Sequence, residues 1–178
     1  MADAAQILGT EVGSTAPIFL AVLAVHVLAG LTAVATGTTV ALTRKGTARH
    51  VRIGRWYYRA LGTVFATALA LTAMRPRQDY HLALIGLVAF AAATIGVEHR
   101  RRHRPGDTPH IVGMGLSYIA MLTAFYVDNG PHLPLWDRLP TIAFWLLPSA
   151  IGLPIIARAR RRSATVANSV RPTETRSR

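Results

Sequence analysis

The sequence predicts an all-α protein, a polytopic transmembrane helix bundle of about five spans that forms one domain over residues 1–162. Only 16% of the residues are charged and 51% are apolar, whereas a soluble domain carries about 25% charged residues. The charges are also segregated, because long apolar stretches alternate with short arginine clusters. Both features are typical of a multi-span membrane protein.

Five segments pass the length test of roughly 17–25 apolar residues, at about 17–43, 56–74, 80–99, 110–127 and 139–157. The second is the weakest, but Arg59 lies near its start, where a long side chain can reach the membrane surface. The connecting loops are short, so successive helices should be antiparallel neighbours. Residues 163–178 are polar and lack periodicity, which predicts a disordered cytoplasmic tail.

Basic residues predict the orientation. Seventeen of the 20 Lys and Arg residues follow spans one, three and five, and the other three are Arg75, Arg77 and Arg138. The positive-inside rule then places the N-terminus outside and the C-terminus in the cytoplasm, in a bacterial plasma (inner) membrane. The expected partners are the lipid bilayer and anionic headgroups at the basic loops. No nucleic acid is expected, because aromatic or polar base-reading residues do not accompany the arginines.

His26 lies within span one and shares a helical stripe with Gly30, Ala33 and Gly37. This stripe predicts either a packing seam in which His26 is hydrogen-bonded, or a cofactor pocket. The other candidate cofactor-binding residues are His81, Ser117 and Met121. His81 lies about 9 Å nearer the outer surface than His26, so a haem held by both histidines would need a strong helix tilt. A quinone-like ligand near His26 is the alternative.

A second group of histidines is predicted at the cytoplasmic membrane surface. His50, His99 and His110 lie at similar depth, so they are the candidate metal ligands. Imidazole suits zinc, copper, iron and haem iron, and Glu98 is a candidate acceptor that would orient one ring. The cofactor expected here is haem b or a transition metal. The alternative is that these are ordinary residues at headgroup level.

Several chemistries are excluded or disfavoured. The absence of cysteine excludes disulfides and thiolate ligands. No carboxylate falls inside a span, and no phosphate loop or catalytic triad is present, so no catalytic residue is assigned. Two other functions remain open: a structural or accessory protein, as a homo-oligomer or in a membrane complex, and a small-solute transporter. The transporter would use a pocket between His26 and the kink at Pro148.

The chain also resembles a family of bacterial multi-pass integral membrane proteins of unknown function. The resemblance rests on "HVLAG" in span one, "RKGTARHVRIGRWYY" before and into span two, and "HIVGMGLSYIAMLTAFYVDN" in span four. It continues through the prolines and tryptophans of span five and covers roughly residues 18–156. It implies the multi-span topology and the recurrence of the His, Arg and Tyr positions. The histidine-bearing bundle is similar in general style to haem-b cytochromes of the cytochrome b561 type.

Overall fold

The computed structural model describes residues 5–7, 10–12, 17–134, 136 and 138–169. Its five α-helices are α1 (Pro17–Leu42), α2 (Ala48–Met74), α3 (Pro76–Arg101), α4 (Thr108–Asn129) and α5 (Thr141–Ser169). A 3₁₀ turn, Gly130–His132, follows α4. Two short strands, β1 (Ala5–Ile7) and β2 (Thr10–Val12), pair antiparallel ahead of α1. The predicted all-helical bundle is confirmed, and the small hairpin was not predicted.

Four helical segments are long and apolar enough to cross a membrane: Pro17–Leu42, Asp79–Arg101, Thr108–His132 and Thr141–Thr165. Helix α2 has 27 residues but is not among them. Arg59 and three threonines lower the hydropathy of its apolar part. The structure therefore describes a helical protein with four candidate membrane spans.

Two helices extend beyond the predicted spans. Helix α2 begins at Ala48, so the residues before position 56 are helical. Gly46 makes the preceding turn with φ +81°, and the Thr47 hydroxyl oxygen accepts a hydrogen bond from the His50 amide at 3.2 Å. Helix α5 continues to Ser169, into the segment predicted to be a disordered tail. Residues 170–178 lie outside the described residues.

The order of packing brings the basic segments together. Helix α2 packs against α1 and α3, and α4 packs against α3 and α5. At one end of the bundle the His50 ring lies beside the His110 ring, and Ser163 Oγ donates to Asp107 Oδ2 at 3.4 Å. The α1–α2 loop, the α3–α4 loop and the C-terminal part of α5 therefore share this end. We call it the basic end, comprising residues 44–59, 98–110 and 158–163.

Small residues form much of the core and let helices approach closely. Ala33, Ala89 and Ala93 are almost fully buried around the larger side chains of Tyr57, Leu61 and Met121. The closest backbone approach is between α3 and α4. A methyl group on Gly113 would overlap the Ala92 carbonyl oxygen and the Gly96 backbone. Only glycine at this crossing permits such an approach.

The predicted stripe on α1 is a packing seam over part of its length. Ala33 and Gly37 are buried. The Tyr118 ring occupies the space where a Gly37 side chain would lie, and its hydroxyl is 2.7 Å from Thr38 Oγ1. Gly30, by contrast, has no neighbour within 4 Å of an added Cβ. The seam is therefore tight at Ala33 and Gly37 and open at Gly30, while His26 contacts helix α2 through Thr67.

Candidate functional site

Two of the three predicted metal ligands meet at the basic end. The ring centres of His50, on the first turn of α2, and His110, on the first turn of α4, are 6.5 Å apart, with an angle of 66° between the ring planes. The two residues come from helices that are not consecutive in the chain. We call them the histidine pair, and the candidate site consists of this pair and its surroundings.

The orientation of His110 is set by helix α3. Its Nδ1 lies 3.0 Å from the Gly96 carbonyl oxygen. A carbonyl oxygen can only accept, so Nδ1 is the donor and, in the neutral ring, Nε2 keeps its lone pair. Metal-binding histidines are commonly fixed by this kind of hydrogen bond to a backbone carbonyl. The short distance depends on the close approach of α3 and α4 at Gly96 and Gly113.

His50 is held less completely. Its Nδ1 is buried and has no hydrogen-bond partner among the described residues. A buried polar nitrogen without a partner loses its hydration and gains nothing in return. The position therefore favours a ligand that would occupy the site beside His110.

The surroundings keep His50 neutral. Burial lowers its pKa below the ordinary 6.5, and Lys45 and Arg100 lower the pKa further. The Val40 and Thr43 carbonyl groups, at the end of α1, act in the opposite direction. A neutral imidazole is the form that binds a metal. The nearby positive charges also favour a ligand that carries anionic groups.

His99 and Glu98 do not join the histidine pair. The His99 ring is 2.9 Å from the Gly106 carbonyl, in a loop where Gly106 has φ +83°. Glu98 accepts from Arg102 at 2.7 Å, so its carboxylate is bound to a guanidinium instead of an imidazole. No group of three or more His, Cys, Asp or Glu side chains placed to hold a metal occurs in the described part of the chain. The predicted set of three ligands is therefore reduced to a pair.

The residues predicted to form a cofactor pocket around His26 take part in separate contacts instead. His26 Nδ1 lies 2.8 Å from Thr67 Oγ1 on α2. Ser117 donates to the Met114 carbonyl and so accepts from the Tyr57 hydroxyl, at 2.8 Å. Met121 lies in the apolar core. The quinone-like ligand near His26 stays a prediction.

A group of titratable residues at the opposite end was not predicted. Asp128, near the end of α4, interacts electrostatically with Asp79 and His81 on α3, with His26, and with His132 in the 3₁₀ turn. The two aspartates were not predicted to be functional from the sequence, because each lies at the end of a span. Nothing in the sequence indicates that the two aspartates meet, because they lie on different helices and only the packing of those helices brings them together.

Loss of the His26–Thr67 contact is expected to destabilise the protein modestly. Hydrogen bonds between transmembrane helices contribute about 0.6 kcal/mol on average and up to about 1.7 kcal/mol. We therefore expect His26→Ala and Thr67→Val each to lower the free energy of unfolding by about that amount. Unfolding of the full chain in mixed micelles would measure both. The control is Thr39→Val, because the Thr39 hydroxyl donates to the Ala35 carbonyl of its own helix.

The double variant decides whether the two residues are coupled. If they interact directly, His26→Ala combined with Thr67→Val should cost less than the sum of the single changes. Strictly additive losses would mean that the hydrogen bond does not stabilise the fold.

Comparisons with protein-family models, curated proteins and solved structures found no match to the chain. The chain is therefore classified from its own fold. It is a helical protein with four helices of membrane-spanning length and apolarity, and two imidazoles from different helices meet at its basic end.

Proposed function

We propose that the chain is an integral membrane protein whose five helices all cross a bacterial plasma membrane, with the N-terminus outside and the basic end in the cytoplasm. Helix α2 packs against both α1 and α3, as an antiparallel span would. The histidine pair supports the same topology. If α2 lay on the membrane surface, α3 would carry His110 to the side opposite His50. Positive charge at the basic end agrees with the positive-inside rule.

Single cysteines test this topology without a background signal, because the chain contains no cysteine. Lys45→Cys and Arg102→Cys are both expected to resist an impermeant thiol reagent on intact cells and to react after the cells are opened. Arg77→Cys, on the opposite side, should react on intact cells. Reaction of Arg102→Cys but not Lys45→Cys from outside would show that one of the two intervening helices does not cross.

We infer that at its basic end the chain would hold haem b through the imidazoles of His50 and His110. The observation that carries this proposal is the 6.5 Å distance between the ring centres. A metal bound to an imidazole nitrogen lies roughly 3.2 Å from the ring centre, so rings 6.5 Å apart are close enough for both to reach one metal.

The surroundings of the histidine pair favour haem over a bare ion. Structural zinc sites use four protein ligands and catalytic sites use three, but the pair has no third such side chain in the described part of the chain. A porphyrin supplies the other four nitrogens itself. Lys45 would repel a bare dication but would attract a haem propionate, whereas Arg100 is already paired with Asp107.

Bound haem would supply reversible one-electron transfer. The residues of the chain would orient and tune it. The Gly96 carbonyl holds the His110 ring and increases its basicity, because it accepts a hydrogen bond from Nδ1–H. Burial lowers the pKa of His50 and so keeps that ring ready to coordinate at neutral pH. The function we propose is thus that of a membrane haem protein for electron transfer.

A titration of the detergent-purified full chain with haemin tests this proposal. We expect one equivalent to bind and to give the sharp Soret and α bands of a six-coordinate, low-spin haem with two imidazole ligands. Cu(I) and Zn²⁺ are titrated in parallel. Saturable Cu(I) binding with no haem spectrum would replace haem by a linear metal site. Folded protein that binds none of the three would overturn the proposal.

A further inference from the structure

A shallow cleft opens beside the α1–α2 turn, on the surface of the basic end. Its volume is about 550 Å³, and its lining includes Thr39, Thr43, Arg44 and Arg49 together with Leu42. The cleft does not include either member of the histidine pair.

The cleft is positively charged. Arg44 and Arg49 are both in its lining, and both residues are exposed. Residues 44–59 contain six basic residues and no acidic one. The two ion pairs of the described residues, Arg100–Asp107 and Arg102–Glu98, lie elsewhere. Guanidinium groups without a carboxylate partner bind phosphate well, because their planar donors match two of its oxygens.

The position of the cleft indicates the source of this phosphate. It lies at the C-terminal end of a helix of membrane-spanning length. Leu42, at its edge, is 83% exposed and offers an apolar contact for an acyl chain. Going from water into the bilayer, an anionic lipid presents its headgroup, then its phosphate and then its acyl chains. Free phosphate has no apolar part that could contact this edge.

We propose that this cleft is a binding site for one anionic phospholipid. Arg44 and Arg49 bind the phosphate, and Leu42 contacts an acyl chain. The proposal rests on the proposed membrane topology and is independent of haem binding.

Native mass spectrometry of the full chain in neutral detergent provides the test. Phosphatidylglycerol and phosphatidylcholine of matched chain length are titrated separately. We expect one phosphatidylglycerol to be retained at least about 10-fold more tightly than phosphatidylcholine. Arg44→Gln combined with Arg49→Gln should remove this preference. The matched control is Arg101→Gln with Arg104→Gln, which removes the same charge from the other basic loop.

Three outcomes would overturn the proposal. The first is equal retention of the two lipids by the unaltered protein. The second is an equal loss of preference in the control, because the effect would then be one of net charge. The third is displacement of the lipid by millimolar inorganic phosphate, which would assign the cleft to the free anion. Haem spectra of the same variants separate failure here from failure of the histidine pair, since we expect those spectra to be unchanged.

Discussion

Alanine at His110 is expected to abolish the six-coordinate haem spectrum and to weaken haem binding by about 100-fold or more. Loss of a residue that merely orients a metal ligand costs 10–100-fold in affinity, so loss of the ligand itself should cost at least as much. His50→Ala should have the same effect, because each ring would provide one axial bond. The measurement is a haemin titration followed by the Soret band.

The matched control is His99→Ala. His99 also lies at the basic end, but its ring contacts the Gly106 carbonyl and not the histidine pair. We expect this variant to bind haem as the unaltered protein does. Added imidazole should restore a six-coordinate spectrum to His110→Ala, since it can replace the missing ring. If His99→Ala lost haem while His110→Ala kept it, the assignment of the ligands would be wrong.

The same titration is expected to depend on pH in a defined direction. The pKa of His50 is lowered by burial, so the folded protein keeps this ring neutral below the ordinary pKa of 6.5. A proton competes with iron for the ring only below that lowered pKa. Haem affinity should therefore be constant around pH 7 and should fall only once the pH drops below the lowered pKa of His50, which lies under 6.5.

Valine at Gly113 is expected to have the largest effect on stability. Even a methyl group at this position would overlap the backbone of α3 at Ala92 and Gly96, and backbone cannot move aside as a flexible side chain can. Overpacking typically costs 1–3 kcal/mol, and we expect about 3 kcal/mol here. Separation of α3 from α4 should also break the hydrogen bond from His110 to the Gly96 carbonyl. Thermal unfolding in detergent measures the loss.

Gly30→Ala is the control for this substitution. It also replaces a glycine in a long helix, but nothing lies within 4 Å of the added Cβ. Alanine favours helix over glycine by about 1 kcal/mol in water, so Gly30→Ala should be neutral or slightly stabilising. Equal melting temperatures for the two variants would contradict the close contact of α3 and α4.

Depth in the bundle was predictable from the sequence, whereas the direction in which a side chain points was not. Counting residues along antiparallel helices placed His50, His99 and His110 at one level, and two of the three do meet. His99 differs only in the side of the bundle that it faces, and this depends on the rotation of α3 about its axis. The same limit applies to Ser117, expected near His26 but bound to Tyr57.

The group around Asp128 shows a second limit of sequence reasoning. From the sequence, an aspartate at the end of a span is interpreted as an ordinary surface residue, because the end of a single helix is exposed to water. The packing of α1, α3 and α4 brings His26 and Asp79 within its electrostatic reach. The positions of all three helices must be known before this group can be recognised.

By itself, the sequence determined the helical class and the bounds of the apolar segments, because burial of an uninterrupted backbone in an apolar environment requires helices of a certain length. It also determined where the positive charge lies along the chain. The tertiary structure alone decided that His50 and His110 form a pair and that α3 touches α4 at Gly96 and Gly113. These features depend on the rotation and register of packed helices, which side-chain packing between distant segments sets and no local pattern encodes.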